Sequence, residues 1–559
     1  MTTPYLLIAP TSAETMADAD ITAAIERLFT TQRGMNEHLL DVATHAGLVT
    51  LTGFTDNLLA RRRAEEITLA VRGVRGVTST IAVRTLDLPD ADLQRDVSGA
   101  LADDPATGDY QVQCTVAGGV VTLTGMVQSW VEKQLVLRVL RGVRGVTTFV
   151  TEHLTIQEGE IVNSDEEITT QIRELLAWDI RVNSALVEVR TNEQVVYLTG
   201  TVGTATEKDY IINIAYQTGA TRVDARDLFV AYWALGSELR REKFAPRANA
   251  NIVNAVRVAI HRNPRVRCSE TLVQALEGIV TLAGTVSDLR AREEAERDAR
   301  LVVGVSDVHN LLKIRPKRLV PDAEIRQAIL AALARDPYVG HFYFTVRVSQ
   351  GQATVHGQVG SAFERERAGD VATGASGVLA VANLVAEPTE AGFDELSAAQ
   401  PGHPDPDFAL AGRIQQRHFW SAGLHDQDIE VEVSQGCATL TGTVDTWPER
   451  QQAALNAYEA GARNVNNHLR VLAPAATAAP ESQAPNPSKS TPMRTASDTA
   501  RSGQPWGRSE YLPLLDPASQ QLERDADSTM TIPEGPKHTG FTMDSDRQAP
   551  RCEAAHEPQ

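Results

Sequence analysis

The sequence predicts an α+β protein, a tandem array of small α-β-β-α-β modules, and three observations predict it. A strand motif recurs six times, a helix-capping residue follows each copy at a fixed distance, and a second glycine closes each following helix. The motif is Thr-Leu-Thr-Gly or a near relative, ending at Gly53, Gly125, Gly200, Gly284, Gly357 and Gly442. The intervals between these glycines are 72, 75, 84, 73 and 85 residues, and self-similarity at such a period marks copies of one folding unit.

Each copy opens on apolar residues at helical spacing, in five of them Ile21/Ile25/Leu28, Leu93/Val97/Leu101, Ile168/Ile172/Leu175, Ile252/Val256 and Ile325/Ile329/Leu333. A strand hairpin follows. In its second strand Val121, Leu123, Gly125 and Val127 fall on one face and Thr122 and Thr124 on the other, the alternation of a half-buried strand. The glycine sits in the apolar row, where a missing side chain lets another backbone approach; a helix crossing that notch is the expected neighbour.

Four residues after each glycine stands Asn57, Ser129, Thr204, Asp288, Ser361 or Thr446, all preferred helix N-caps. Where the cap is a hydroxyl, Glu132, Glu207, Glu364 or Glu449 comes three residues later and completes a capping box; Ala60 and Ala291 follow the Asn and Asp caps. The helix that starts there ends at Gly73, Gly142, Gly219, Gly304, Gly377 or Gly461, each expected in the left-handed position past a helix terminus. Val77, Val146, Val223, Val308, Val381 and Val465 then open a last strand. The unit is a three-stranded mixed sheet with two helices on one face.

The expected boundaries are 15–86, 88–157, 163–235, 246–317 (the basic unit), 320–388 and 405–472, with a tail at 473–559. Units of this size are near the lower limit for a self-supporting core, which suggests beads on a string with some docking between neighbours. Residues 231–248 are expected to extend the third unit or form a connecting helix, and the proline-bearing stretch 387–408 to be a linker. The tail holds 12 of the 26 prolines and is expected to be disordered.

The element order, with V-x-L-x-G-x-V-x-S/T ahead of the second helix and G-V-x-x-V after it, resembles the BON domain family (OsmY-like), in six tandem copies. That resemblance implies a non-enzymatic bacterial binding protein linked to osmotic or envelope stress, with an association with phospholipid surfaces. Resemblance to the family's cytoplasmic potassium binder suggests a second reading, an ion or small-ligand sensor. A third is a chaperone-like protein-interaction scaffold.

Composition sets further bounds. With 42% apolar and 22% charged residues this is a soluble globular protein, and at 5% aromatics its cores are aliphatic. No stretch is long enough to be a transmembrane segment. The N-terminus has no basic region, and its apolar run Tyr5–Ala9 is too short for an export signal. A cytoplasmic protein is expected, or a periplasmic one if the true start lies elsewhere. Cys114, Cys268, Cys437 and Cys552 are scattered and form no C-x-x-C, so neither disulfides nor zinc are expected; Cys114 alternates with Val112 and Val116 as a core residue.

No nucleophile elbow, phosphate-cradling loop, zinc motif or calcium loop occurs, and the 13 histidines hold no common place in the repeats. The expectation is no catalytic residue, no metal and no cofactor. A net charge of −19 repels anionic partners, and no nucleic-acid partner is expected. One window runs against the rest: Ser237–Arg318 carries 16 Lys+Arg against 10 Asp+Glu. Its cations form three groups. Arg262, Arg265 and Arg267 flank the first helix; Arg290, Arg292, Arg297 and Arg300 lie on the second; Lys313, Arg315, Lys317 and Arg318 follow the last strand. If the groups converge, they form a surface for anionic phospholipid; if not, they pair with Glu293, Glu294, Glu296 or acids of adjacent units.

Overall fold

Six hairpins organise the chain, and each is closed by a two-residue turn in which both residues have positive φ. The pairs are Ala46/Gly47, Gly118/Gly119, Glu193/Gln194, Glu277/Gly278, Gln350/Gly351 and Gln435/Gly436. Such turns match the natural twist of paired strands and set their register. The computed structural model describes residues 16–471 except 33, 36–38, 86–87, 158–162, 237–242, 246, 267–270 and 388–405. The expected tail, the charged run Glu238–Glu242 and most of the proline-bearing linker lie outside the described residues. Pro406 already opens a helix, Pro406–Trp420, inside the stretch expected as linker. Lys243 docks back on the third unit, its ammonium donating to the carbonyls of Leu176 and Val182.

In every unit the hairpin strands pair antiparallel and the last strand runs parallel to the second hairpin strand, which is therefore central. In units one, three and six the last strand is broken into two short pieces, as at Asn464–Asn467 and Arg470–Val471. The first helices are Asp18–Thr31, Asp90–Asp103, Asp165–Trp178, Asn249–Arg262, Asp322–Arg335 and Pro406–Trp420. The second are Leu58–Leu69, Trp130–Arg141, Ala205–Gln217, Leu289–Arg300, Ala362–Thr373 and Trp447–Glu459. Each sheet builds its own aliphatic cluster beneath its helices.

All six expected N-caps accept a hydrogen bond from the backbone three residues on, at Ala60, Glu132, Glu207, Ala291, Glu364 and Glu449. Among them the reciprocal box closes fully at Thr446/Glu449. Glu132, Glu207 and Glu364 instead reach one residue further back, to the N–H of Gln128, Gly203 and Gly360.

The strand glycines are required, but by a different neighbour from the one expected. At Gly53, Gly125, Gly200 and Gly442, φ lies between +116° and +128°. A Cβ there would stand 2.0–2.2 Å from the carbonyl oxygen of Leu39, Gln111, Leu186 or Asp428. The close approach is thus from the adjacent strand's backbone and not from a helix. Gly357 is the exception: its φ is not positive, and the Phe344 ring fills the space at 2.7 Å.

The second glycines need one correction. Gly73, Gly219, Gly304, Gly377 and Gly461 all have positive φ, but Gly142 has φ −78°, and Gly145 at +89° takes its place. Likewise Phe149, paired with Val121, occupies the place expected for Val146, which is buried in the core. Arg-Gly-Val occurs twice in tandem at 141–146, and matching by triplet lands one triplet early. Gly219 and Gly461 directly follow the helix cap; Gly73, Gly145, Gly304 and Gly377 come three residues after it.

The units are not strung out as beads. The N-terminal residue of five of the six second helices serves a neighbour. Leu58 of unit one enters the core of unit two, Trp130 of unit two stacks on Tyr216 of unit three at 5.9 Å, and Ala205 of unit three enters the core of unit one. Leu289 of unit four enters the core of unit five, and Trp447 of unit six carries the Arg300 guanidinium of unit four at 4.0 Å. Backbone hydrogen bonds then tie one to six (Arg72 N–H to Trp420 O, 2.9 Å), three to four (Ile180 N–H to Leu301 O, 2.9 Å) and two to five (Arg144 N–H to Arg335 O, 2.8 Å). Units one to three thus close a three-membered ring, unit four touches both five and six, and the backbone bonds join the two sets of three. Helices face the middle and sheets face outward.

Candidate functional site

Because the helices are inside, the chemistry a partner meets first is the outer row of each sheet. In unit four the inward row, Val273, Val280, Leu282, Val286, Val308 and Leu312, is buried. The outward row carries four apolar residues. Leu272, Leu276, Ile279 and Leu311 are exposed at 52%, 69%, 40% and 62%. Strand register groups them: Leu272 lies opposite Ala283, which lies opposite Leu311, and Leu276 lies opposite Ile279. Beside Leu311 on the same face is Lys313, opposite Thr285. Arg315 continues from the strand, its N–H donating to Val286 O at 2.7 Å, and exposed Lys317 and Arg318 follow.

The three cationic groups do not meet on this face. Arg265 is buried and holds Asp104 of unit two through both terminal nitrogens, at 3.3 and 3.0 Å. Arg262 is enclosed, its guanidinium held below its usual pKa by burial, and Arg267 lies outside the described residues. Arg290 turns to unit five, donating to Asp370 O at 2.8 Å, with burial again lowering its pKa. Arg292 is half-buried beside the last strand, Arg297 pairs with Glu294 at 3.3 Å, and Arg300 pairs with Glu296 at 2.8 Å and Asp307 at 3.2 Å. The reason is topological: groups one and two ride on the helices, which face the middle. The third group alone, Lys313, Arg315, Lys317 and Arg318, stands at the outer face. Two of its members have acidic neighbours on the surface, Asp109 for Lys317 and Glu324 for Arg318 (3.4 Å).

Sequence reasoning missed the apolar outer row, whose signal is Leu272, Leu276 and Leu311 at positions where period-two alternation calls for polar residues. It also missed a device common to five units. An aspartate at the start of the first helix, the first residue at Asp18, Asp90, Asp165 and Asp322 and the second at Asp407, accepts from the backbone N–H groups of the hairpin turn 28 or 29 residues later. For Asp18 these bonds hold the carboxyl below its usual pKa. Unit four has Asn249 in this place. The signal was an aspartate at constant distance ahead of each turn. Cys114 is half-buried against the core of unit two, and burial pushes its thiol up to about 11, so the thiolate is disfavoured. Among the described residues no helix is long and apolar enough to cross a membrane.

Comparison with known proteins follows the same division. The chain matches the BON domain over residues 17–85, 89–158, 164–226, 248–316, 321–387 and 406–473. Osmotically-inducible protein Y of Escherichia coli (strain K12) is 30% identical over 146 residues, spanning 25% of this chain and 72% of that protein. Among solved structures, the C-terminal domain of CdsD, a structural protein of the type III secretion system of Chlamydia trachomatis, aligns over 40% of this chain and all of that one, at 13% identity and a TM-score of 0.11. A second CdsD structure aligns over 40% and 92%, at 15% identity and a TM-score of 0.10.

Proposed function

This chain belongs to the BON domain family, and on that premise we propose that it is a non-enzymatic binding protein of the osmotic-stress response that docks on anionic phospholipid surfaces through the outer face of unit four. The osmotic link rests on the name of the Escherichia coli relative. The docking rests on one observation, the exposed leucine row of unit four with four cations along its edge. Apolar side chains enter the interfacial region while the cations stay at the headgroups, each contributing about 1 kcal/mol near an anionic leaflet. An overall charge of −19 opposes the approach of every other face, so the contact is oriented.

Flotation with vesicles tests this. The protein is expected to float with phosphatidylglycerol-containing vesicles, to stay behind with phosphatidylcholine alone, and to be released as salt rises. Equal behaviour with both vesicle types, or flotation unchanged in Leu272→Glu/Leu311→Glu, contradicts the proposal.

A further inference from the structure

Three cavities of about 910, 510 and 370 Å³ open between the units, and Arg138 lines all three. It stands on the second helix of unit two, one turn from Arg141, and both line the largest cavity together with Arg62 of unit one. Arg62 is held by Glu66 at 2.8 Å, and by Glu65 and by Asp209 of unit three, each at 3.8 Å. Arg138 and Arg141 make no ion pair or hydrogen bond among the described residues. Arg138 is open to water-filled space, yet protein surrounds it closely enough that burial lowers its pKa; the same holds for Arg141, on which Arg62 and Arg138 add their repulsion. Bringing like charges together in enclosed space is costly, and Glu294 and Glu66 near Arg138 and Glu65 and Glu66 near Arg141 offset it only in part, since none of them closes an ion pair with either arginine. The cavity's unpaired acids, Glu366 and Asp370, come from another helix, that of unit five, and burial raises the pKa of Glu366.

Arginine presents a planar fork of donors matched to the oxygens of phosphate, and several such forks on one wall select multiply charged oxyanions. We propose that the Arg62/Arg138/Arg141 wall binds a small phosphate-bearing anion, a diphosphate or a phosphate ester that fits within the largest cavity. Trp130 lines the same cavity and reports occupancy through its fluorescence. The site lies on the helical side of the sheets, where no bilayer reaches, so it is independent of the proposed membrane face.

The test is calorimetric titration of the full chain with inorganic pyrophosphate, and separately with inorganic phosphate and ATP, at constant ionic strength. Saturable binding of pyrophosphate or ATP is expected. Arg138→Gln and Arg141→Gln should each weaken it roughly tenfold or more, while Arg190→Gln, at an exposed arginine paired with Glu188 on the sheet of unit three, should leave it unchanged. Pyrophosphate should raise the melting temperature of the wild type but not of the two variants, and anionic vesicles should not displace it. Should either glutamine variant melt early without ligand, Arg141→Lys, which keeps the charge and loses the fork, should fold and bind more weakly than wild type. Absence of saturable binding at millimolar concentrations, equal affinity in the folded variants, or displacement by vesicles overturns the proposal.

Discussion

Units four and six share a scaffold and differ in what they show to solvent. Their inward rows correspond: Val280, Leu282 and Val286 in one, Ala438, Leu440 and Val444 in the other, all buried. On the outward row, the position opposite Ala283 in unit four is Leu272, and the position opposite Thr441 in unit six is Glu430. Gln274 corresponds to Glu432, and Asp428 completes an acidic strand face in unit six. The inward row is constrained because any polar replacement there is buried without a partner. The outward row faces solvent, so the fold leaves it freer to vary. Unit four thus exposes a leucine row where its structural twin exposes carboxylates, and the proposed docking on unit four rests on that contrast together with the cations beside it.

The sharpest way to break this comparison is charge reversal. Lys313→Glu/Arg315→Glu/Lys317→Glu/Arg318→Glu is expected to lower partitioning onto anionic vesicles by roughly a thousandfold or more, since each cation is worth about 1 kcal/mol and reversal adds repulsion. Equivalent reversal of the Asp428, Glu430 and Glu432 carboxylates should raise it. Next comes a change that should hurt both units alike. Gly442→Val sets a β-branched residue at φ +116° with its Cβ 2.0 Å from Asp428 O, and Gly284 has φ +128°. Each substitution should cost roughly 3–4 kcal/mol in denaturant unfolding, combining left-handed strain with overpacking.

A smaller effect separates the units again. Asp407 accepts from Gln435 and Gly436 N–H at 2.6 and 2.8 Å, whereas unit four has Asn249 at that place. Asp407→Ala should cost roughly 1 kcal/mol, and Asn249→Asp should gain a few tenths, both read as melting shifts.

The smallest effects are pH slopes of opposite sign. Burial, with Glu294 close by, pushes the Asp298 carboxyl in unit four up to about 7. The folded state then holds a proton that the unfolded chain releases near pH 4, so this stabilisation is present below about pH 4 and is lost as pH rises to about 7. In unit six burial holds the His418 imidazole below its ordinary pKa, with Nε2 beside Ala453 O at 3.2 Å. The unfolded chain takes up a proton near pH 6.5 before the folded state does, so stability is lost as pH falls below that value. Asp298→Asn should flatten the first slope and His418→Gln the second, each read as melting temperature against pH.

How much of this was legible depended on whether the signal was local. Caps such as Ser129 and Thr446 act on backbone three residues away, and their side chains specify them outright. The alternation of Val121, Leu123 and Val127 likewise encodes which face is buried. Legibility failed where two equal local matches competed, as with Gly142 and Gly145 in tandem Arg-Gly-Val triplets. It failed again where a long-range partner decided the outcome. Nothing near Gly125 says that Gln111 O is what it makes room for, and nothing near Leu58 or Ala205 says that another unit's core will take them in. For the candidate site, the cations were legible as a group but their directions were not: Arg265, just past the first helix, and Arg290, on the second, are turned by partners in other units, Asp104 and Asp370. The exposed Leu272 and Leu311 were visible as exceptions to alternation.

Hydrogen–deuterium exchange on phosphatidylglycerol vesicles addresses the central claim most directly. Protection is predicted in Thr271–Leu276 and Asp307–Ile314 of unit four, with Asp428–Ser434 of unit six unchanged. Protection spread evenly over all six sheets, or confined to unit six, would contradict it.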